Sequence, residues 1–158
     1  MHPHLRAAHE APLEAMGKVT VTNSSRPMAR LFARLLRLPR PGIDLDLAVT
    51  VTETPDGQQW DRQFGSQRLR TYQHSRGGMM VELSGPGAIF LVVEGEGENL
   101  VYRSAKATFG GIRVPRGLAP TVVARAIPTE TGWVAQVEIS IPVAGQLCSY
   151  RAEITQWT

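Results

Sequence analysis

Hydrophobic and polar residues follow two different rhythms along this chain, one before position 43 and one after it. From Ile43 onward apolar side chains recur at alternate positions, and Gly, Pro, Asn and Asp interrupt the text roughly every 8 to 12 residues. That is the pattern of half-buried strands joined by hairpins. The spacing predicts strands over 43–53, 58–64, 67–75, 79–84, 88–94, 99–107, 121–128, 133–141 and 147–157. Their connections are short: "TPDG", "GG", "GEGE", "TG" and "VAGQ". An earlier stretch, "GKVTVTN" at 17–23, alternates in the same way.

Before Ile43 the period lengthens. A short helix is predicted over 3–10, with Pro3 in its first turn, and a second over 26 to about 38 within "RPMARLFARLLRLPRPG". Ser24 or Ser25 can cap the second helix, and "PRPG" at 39–42 stops it. At about 100° per residue, Arg26, Arg30, Arg34 and Arg37 share an arc of roughly 80°. Met28, Leu31, Phe32, Leu35, Leu36 and Leu38 occupy an opposite arc of about 160°. The distribution predicts a helix with its leucines on the open face of the sheet and its arginines in water. Contact with an anionic membrane is the weaker reading, because the sheet claims the apolar face.

Directly opposed residues of a hairpin share a face, so each short turn predicts a register. The loop at 54–57 sets Val51 against Trp60, Val49 against Arg62 and Leu47 against Phe64. A two-residue turn at Thr131-Gly132 sets Trp133, Ala135, Val137 and Ile139 against Glu130, Pro128, Ala126 and Ala124. "VAGQ" then adds Cys148, Tyr150, Ala152 and Ile154 to the same apolar face, and Arg125, Glu138 and Arg151 form a solvated row behind it. About nine strands with one apolar face must curl or be covered. The expected fold is α+β, mainly β: one domain over 1–158, a strongly curved antiparallel meander forming a calyx or half-barrel. The amphipathic helix and the short N-terminal helix close its concave face.

Candidate chemistry follows from the same registers. A turn at "GG" opposes His74 to Val81 and Tyr72 to Leu83, which would send Arg68, Arg70, Tyr72 and His74 inward with apolar neighbours. A loop including Arg76 would instead pair Tyr72 with Glu82 and His74 with Met80. The "GEGE" turn sets Tyr102 towards Leu91, adding a second phenol, and Tyr150 is a third. Polar groups inside a curved sheet can orient a ligand or serve as satisfied core residues. The ligand-binding candidates are Trp60, Arg70, Tyr72, His74, Tyr102 and Tyr150, with Phe32 and Leu35 from the helix. His74, Tyr72 and Glu82 are the general acid/base candidates. Asp44 and Asp46 read as surface acids, and His2, His4 and His9 as terminal residues, two of them frayed. No metal and no cofactor is implied.

Composition narrows the class. A chain of 158 residues with 42% hydrophobic and 20% charged residues can bury one sizeable core. The net charge of +3 comes from arginines interspersed with acids, which is not a nucleic-acid signature. The single cysteine, Cys148, excludes an intrachain disulfide framework. There is no apolar run of signal-peptide or membrane-spanning length, so a cytoplasmic location is expected. The expected partner is a small apolar or amphipathic molecule.

Four stretches, "MARLFARLLRLPRPG", "WDRQFG", "GGIRVPRGLAP" and "VEISIPVAGQLCSYRAEI", together resemble a bacterial family. It is known as domain of unknown function forty-one sixty-six, standing alone or behind saccharopine-dehydrogenase-like reductase domains. The chain departs from that pattern at Arg151, Ala152 and Glu153, where the family has a glycine-aromatic pair after its final tyrosine. The resemblance implies no catalytic residues. Three functions are therefore carried forward. The first is a domain holding an apolar or amphipathic ligand between curved sheet and helix. The others are a cofactor-free cyclase or isomerase in the same pocket, and an accessory interaction domain of a reductase.

Overall fold

The alternation beginning at Ile43 is realised as a continuous run of antiparallel strands. The computed structural model describes residues 2–7 and 11–158; His9 and the end of the predicted first helix lie outside them. In chain order the elements are α1 (Pro3–Ala7), β1 (Leu13–Asn23), α2 (Pro27–Leu35), β2 (Gly42–Thr54), β3 (Gly57–Phe64), β4 (Gln67–Arg76) and β5 (Met79–Ser84). Then follow β6 (Gly87–Glu96), β7 (Asn99–Phe109), β8 (Ile112–Arg113), β9 (Thr121–Thr129), β10 (Gly132–Ile141) and β11 (Gly145–Trp157).

Each strand from β1 to β7 pairs with its successor, β7 pairs with β9, and β11 returns to pair with β1. The result is a closed ten-stranded barrel, with the two-residue β8 folded back on the end of β7. The expected curved antiparallel meander is present and is closed all the way round, further than a half-barrel. The β6–β7 pairing runs from Gly87 opposite Phe109 to Glu96 opposite Asn99, and closure leaves no long edge unpaired.

An up-and-down barrel has two unlike ends. At one end lie α2 and the connections 65–66, 85–86, 110–120 and 142–144; at the other lie α1 and the turns 55–56, 77–78, 97–98 and 130–131. Leu13, Val19, Leu47, Val51, Phe64 and Ile154 belong to one buried interior cluster, while ion pairs such as Lys18–Asp46 and Arg103–Glu96 stud the outer wall. A lipid-facing barrel has the reverse arrangement, an apolar band outside.

The β2–β3 and β4–β5 registers are those the turns predict. At β9–β10 the turn lies one residue earlier, so Trp133 opposes Pro128 and Ala135 opposes Ala126. Against β11 a shorter turn at 142–144 and a bulge between Ile139 and Ser140 together leave a similar two-residue slip, and Tyr102 opposes Val93 instead of Leu91. Slips of two preserve the face, so the apolar wall survives. The row of Arg125, Glu138 and Arg151 does not: both arginines oppose Gln136, and Glu138 lies between Val123 and Ser149.

α1 covers one end of the barrel as expected, and α2 differs. α1 is docked: Leu5 is fully buried, and His4 Nδ1 donates to the carbonyls of Thr129 and Gly132 at 3.1 and 3.0 Å. α2 meets β11 through Ala29 and Ala33, with Phe32 half-buried beside them. Small residues allow close approach over the barrel end. Of the predicted apolar arc only Phe32 and Leu38 pack against the interior cluster; Met28, Leu31, Leu35 and Leu36 are exposed.

Candidate functional site

Strand alternation places a polar group within the apolar interior. In β3, Trp60, Arg62 and Phe64 face inward opposite Val51, Val49 and Leu47. In β4 the inward residues opposite them are Thr71, Leu69 and Gln67, and Gln73 continues the face. Gln73 opposes Glu82 of β5, which turns Glu82 inward as well.

Arg62 and Glu82 consequently meet across β4. Arg62 Nη1 donates to Glu82 Oε1 at 3.0 Å and to Thr71 Oγ1 at 2.9 Å, and the Thr71 hydroxyl donates to Glu82 Oε1 at 2.7 Å. The guanidinium lies over Trp60, 5.0 Å from the ring centroid. Phe64 meets Tyr150 edge to face at 5.4 Å. The Arg62 and Glu82 side chains keep 16% and 25% of their accessible surface although protein encloses them.

Electrostatics fixes the protonation states. Burial, the largest single influence on Glu82, favours the neutral acid, but the Arg62 charge and hydrogen bonds from Thr71, Arg62 and Gln73 together outweigh it. The carboxyl is held below its ordinary range. Burial pushes the Tyr150 phenol up to about 12 and raises Tyr102 further, so both are neutral hydrogen-bonding groups near pH 7. An ionised carboxylate already paired with a guanidinium is a weak base. The arrangement suits recognition better than proton abstraction.

The predicted site residues divide between two faces. Trp60, Tyr102, Tyr150 and Glu82 share the inner face, and Phe32 packs against the interior cluster from α2. Arg70, Tyr72 and His74 face outward, opposite in parity to Thr71 and Gln73; Leu35 also points away. The β4–β5 register was right and its interpretation wrong. Val81 and Leu83, which suggested an interior, belong with Ala88 and Phe90 to a separate small apolar cluster on the outer wall. Because His74 and Tyr72 lie across the wall from Glu82, the three do not form one acid/base site.

Outside, Arg70 pairs with Asp61 at 2.8 Å and Arg68 joins them at 3.1 Å. The Arg70 hydrogen bond lowers the Asp61 pKa to about 2; burial, the next largest influence, opposes it, and Arg68 and Gln59 add to the lowering. A shallow outer hollow of about 230 Å³ is lined by Ala48, Thr50, Asp61, Arg62, Gln63 and Arg68, so Arg62 is common to it and to the inner network. It is open and charged, which makes it the weaker site. Among the described residues no group of three metal-ligating side chains converges. The residues missed by the sequence reading are Arg62 and Thr71, although Arg62 opposite Val49 was itself a signal.

Fold and interior together define a closed antiparallel barrel, with the Arg62–Glu82 ion pair on its inner face and a helix at one end. A family model described as "Domain of unknown function (DUF4166)" matches residues 1–154, and the chain belongs to that family. No curated protein and no solved structure matches it.

Proposed function

We propose that the barrel holds a small amphipathic molecule in its lumen, its polar group against Arg62, Thr71 and Glu82 and its apolar part against Trp60, Phe64 and Leu69. The observation that supports this is the ion pair itself. A buried pair is a poor way to stabilise a core, because hydrophobic replacements of similar volume are often neutral or better. Here the pair also retains accessible surface. Since Glu82 already balances Arg62, the site favours a neutral polar group, such as a hydroxyl, amide or carbonyl, over a free carboxylate.

Removing Arg62 alone would strand the Glu82 charge, so loss of folding would mask loss of binding. The test is the paired replacement Arg62→Met with Glu82→Met. Native mass spectrometry of freshly purified wild-type protein is expected to show a co-purifying small molecule. The paired variant is expected to melt at or above the wild-type temperature and to lack that molecule. A variant that retains the molecule, or a wild-type protein that carries and binds none from a panel of neutral amphiphiles, would refute the proposal. Arg62→Met alone should cost about 3 kcal/mol in denaturant unfolding.

A further inference from the structure

The two ends of the barrel differ in more than their helices. At the α2 end the connections carry seven arginines: Arg26, Arg30, Arg34, Arg37 and Arg40 around α2, and Arg113 and Arg116 on or beside the 110–120 crossing. The segments 24–42, 65–66, 85–86, 110–120 and 142–144 contain no aspartate or glutamate. None of the seven arginines forms an ion pair among the described residues. The turns at the other end carry Asp56, Glu98 and Glu130. The charge is thus sorted along the barrel axis.

Apolar exposure is sorted the same way. Leu31 and Leu35 on α2 are 56% and 68% exposed, Ile43 just beyond it 84%, and Phe109 and Ile112 on the β7–β8 hairpin 64% and 76%. Along α2 the exposed Met28, Leu31 and Leu35 span an arc of about 60°, flanked on one side by the arginine arc and on the other by the buried edge. Exposed apolar residues within a basic rim, whose nearest acid is Asp44 beside Ile43, match the interface of an anionic bilayer. Leucine and aromatic side chains enter the headgroup boundary, and guanidinium groups meet lipid phosphates.

We infer that the α2 end of the barrel docks on an anionic lipid bilayer, with α2 in the interface plane and the barrel axis directed into the membrane surface. The docked end is the mouth nearer the lumen network, since Arg62 lies two residues from the α2 end of β3. The inference does not depend on the lumen holding a ligand.

The experiment is flotation of the full chain with vesicles of phosphatidylcholine alone and of equimolar phosphatidylcholine and phosphatidylglycerol. Binding is expected to the second and to weaken as salt rises. Arg30→Gln and Arg34→Gln should each weaken it about five-fold. Leu31→Ser with Leu35→Ser should weaken it at least ten-fold while far-UV circular dichroism and melting stay unchanged, because both side chains are exposed. The inference is overturned by equal binding to both vesicle types, by no binding to either, or by binding indifferent to the leucine changes. Retention on an oligonucleotide that ignores the leucine changes, without vesicle binding, would reassign the surface to nucleic acid. Arg62 and Glu82 are untouched throughout, so failure here leaves the lumen proposal standing, and the reverse.

Discussion

Single residues show where the chain keeps an unfavourable choice. α2 ends in a two-bond cap: Leu38 N donates to Ala33 O at 3.0 Å and Arg37 N to Arg34 O at 3.1 Å. The geometry puts Arg37 in the left-handed region with φ 53°, a place glycine fills at no steric cost. Arg37→Gly should therefore raise stability by about 1 kcal/mol, read by chemical denaturation, while weakening anionic-vesicle binding. Asp61 gives a pH dependence. Its pKa is depressed in the fold, so its contribution is complete above the ordinary value of 3.8 and lost as pH falls from there to about 2. Arg68 and Arg70 are about half exposed, which limits the effect to under about 1 kcal/mol. Asp61→Asn should flatten the acid limb of a stability-pH curve over that window. Glu82 acts in the same direction, because its pKa is also lowered.

At the scale of elements, parity was legible and polarity was not. Alternation in the sequence located nearly every strand, and turn chemistry gave the β2–β3 and β4–β5 registers residue by residue. Local pattern cannot say which side of a strand faces inward when both carry apolar residues. β5 shows this: Val81 and Leu83 look like a core face beside Met80 and Glu82, yet Glu82 is the interior residue. The same ambiguity misplaced the α2 leucines, because the small Ala29 and Ala33 make the close contact. Gly17 marks a feature the pattern passed over. A bulge between Met16 and Gly17 lets β1 approach β11 so closely that a Cβ on Gly17 would overlap the Glu153 carbonyl oxygen. Gly17→Ala must push the two strands apart where the first and last strands close the ring. It should cost at least about 1–3 kcal/mol, with hydrogen exchange rising first along β1 and β11.

Across the whole molecule, up-and-down topology turns a property of loops into a property of the particle. All connections of one parity emerge at one end, so a compositional bias in alternate loops becomes a polar axis. Here the bias is arginine with exposed apolar residues at the α2 end and acids at the other. Such a barrel has one orientation on an anionic surface in which attraction and apolar burial act together, and the inverted one loses both. Cys148 makes this measurable: it is the sole cysteine, fully buried, and burial pushes its thiol up to about 11, so it is inert towards thiol reagents near pH 7. An environment-sensitive dye can therefore be placed at Ile112→Cys or Glu98→Cys without altering Cys148. On anionic vesicles carrying a lipid-borne quencher, the dye at position 112 should be quenched and blue-shifted and the dye at 98 should keep its aqueous spectrum. Equal quenching at both positions would mean that the protein has no preferred pole, and the axis read from its loops would then have no bearing on how it meets a membrane.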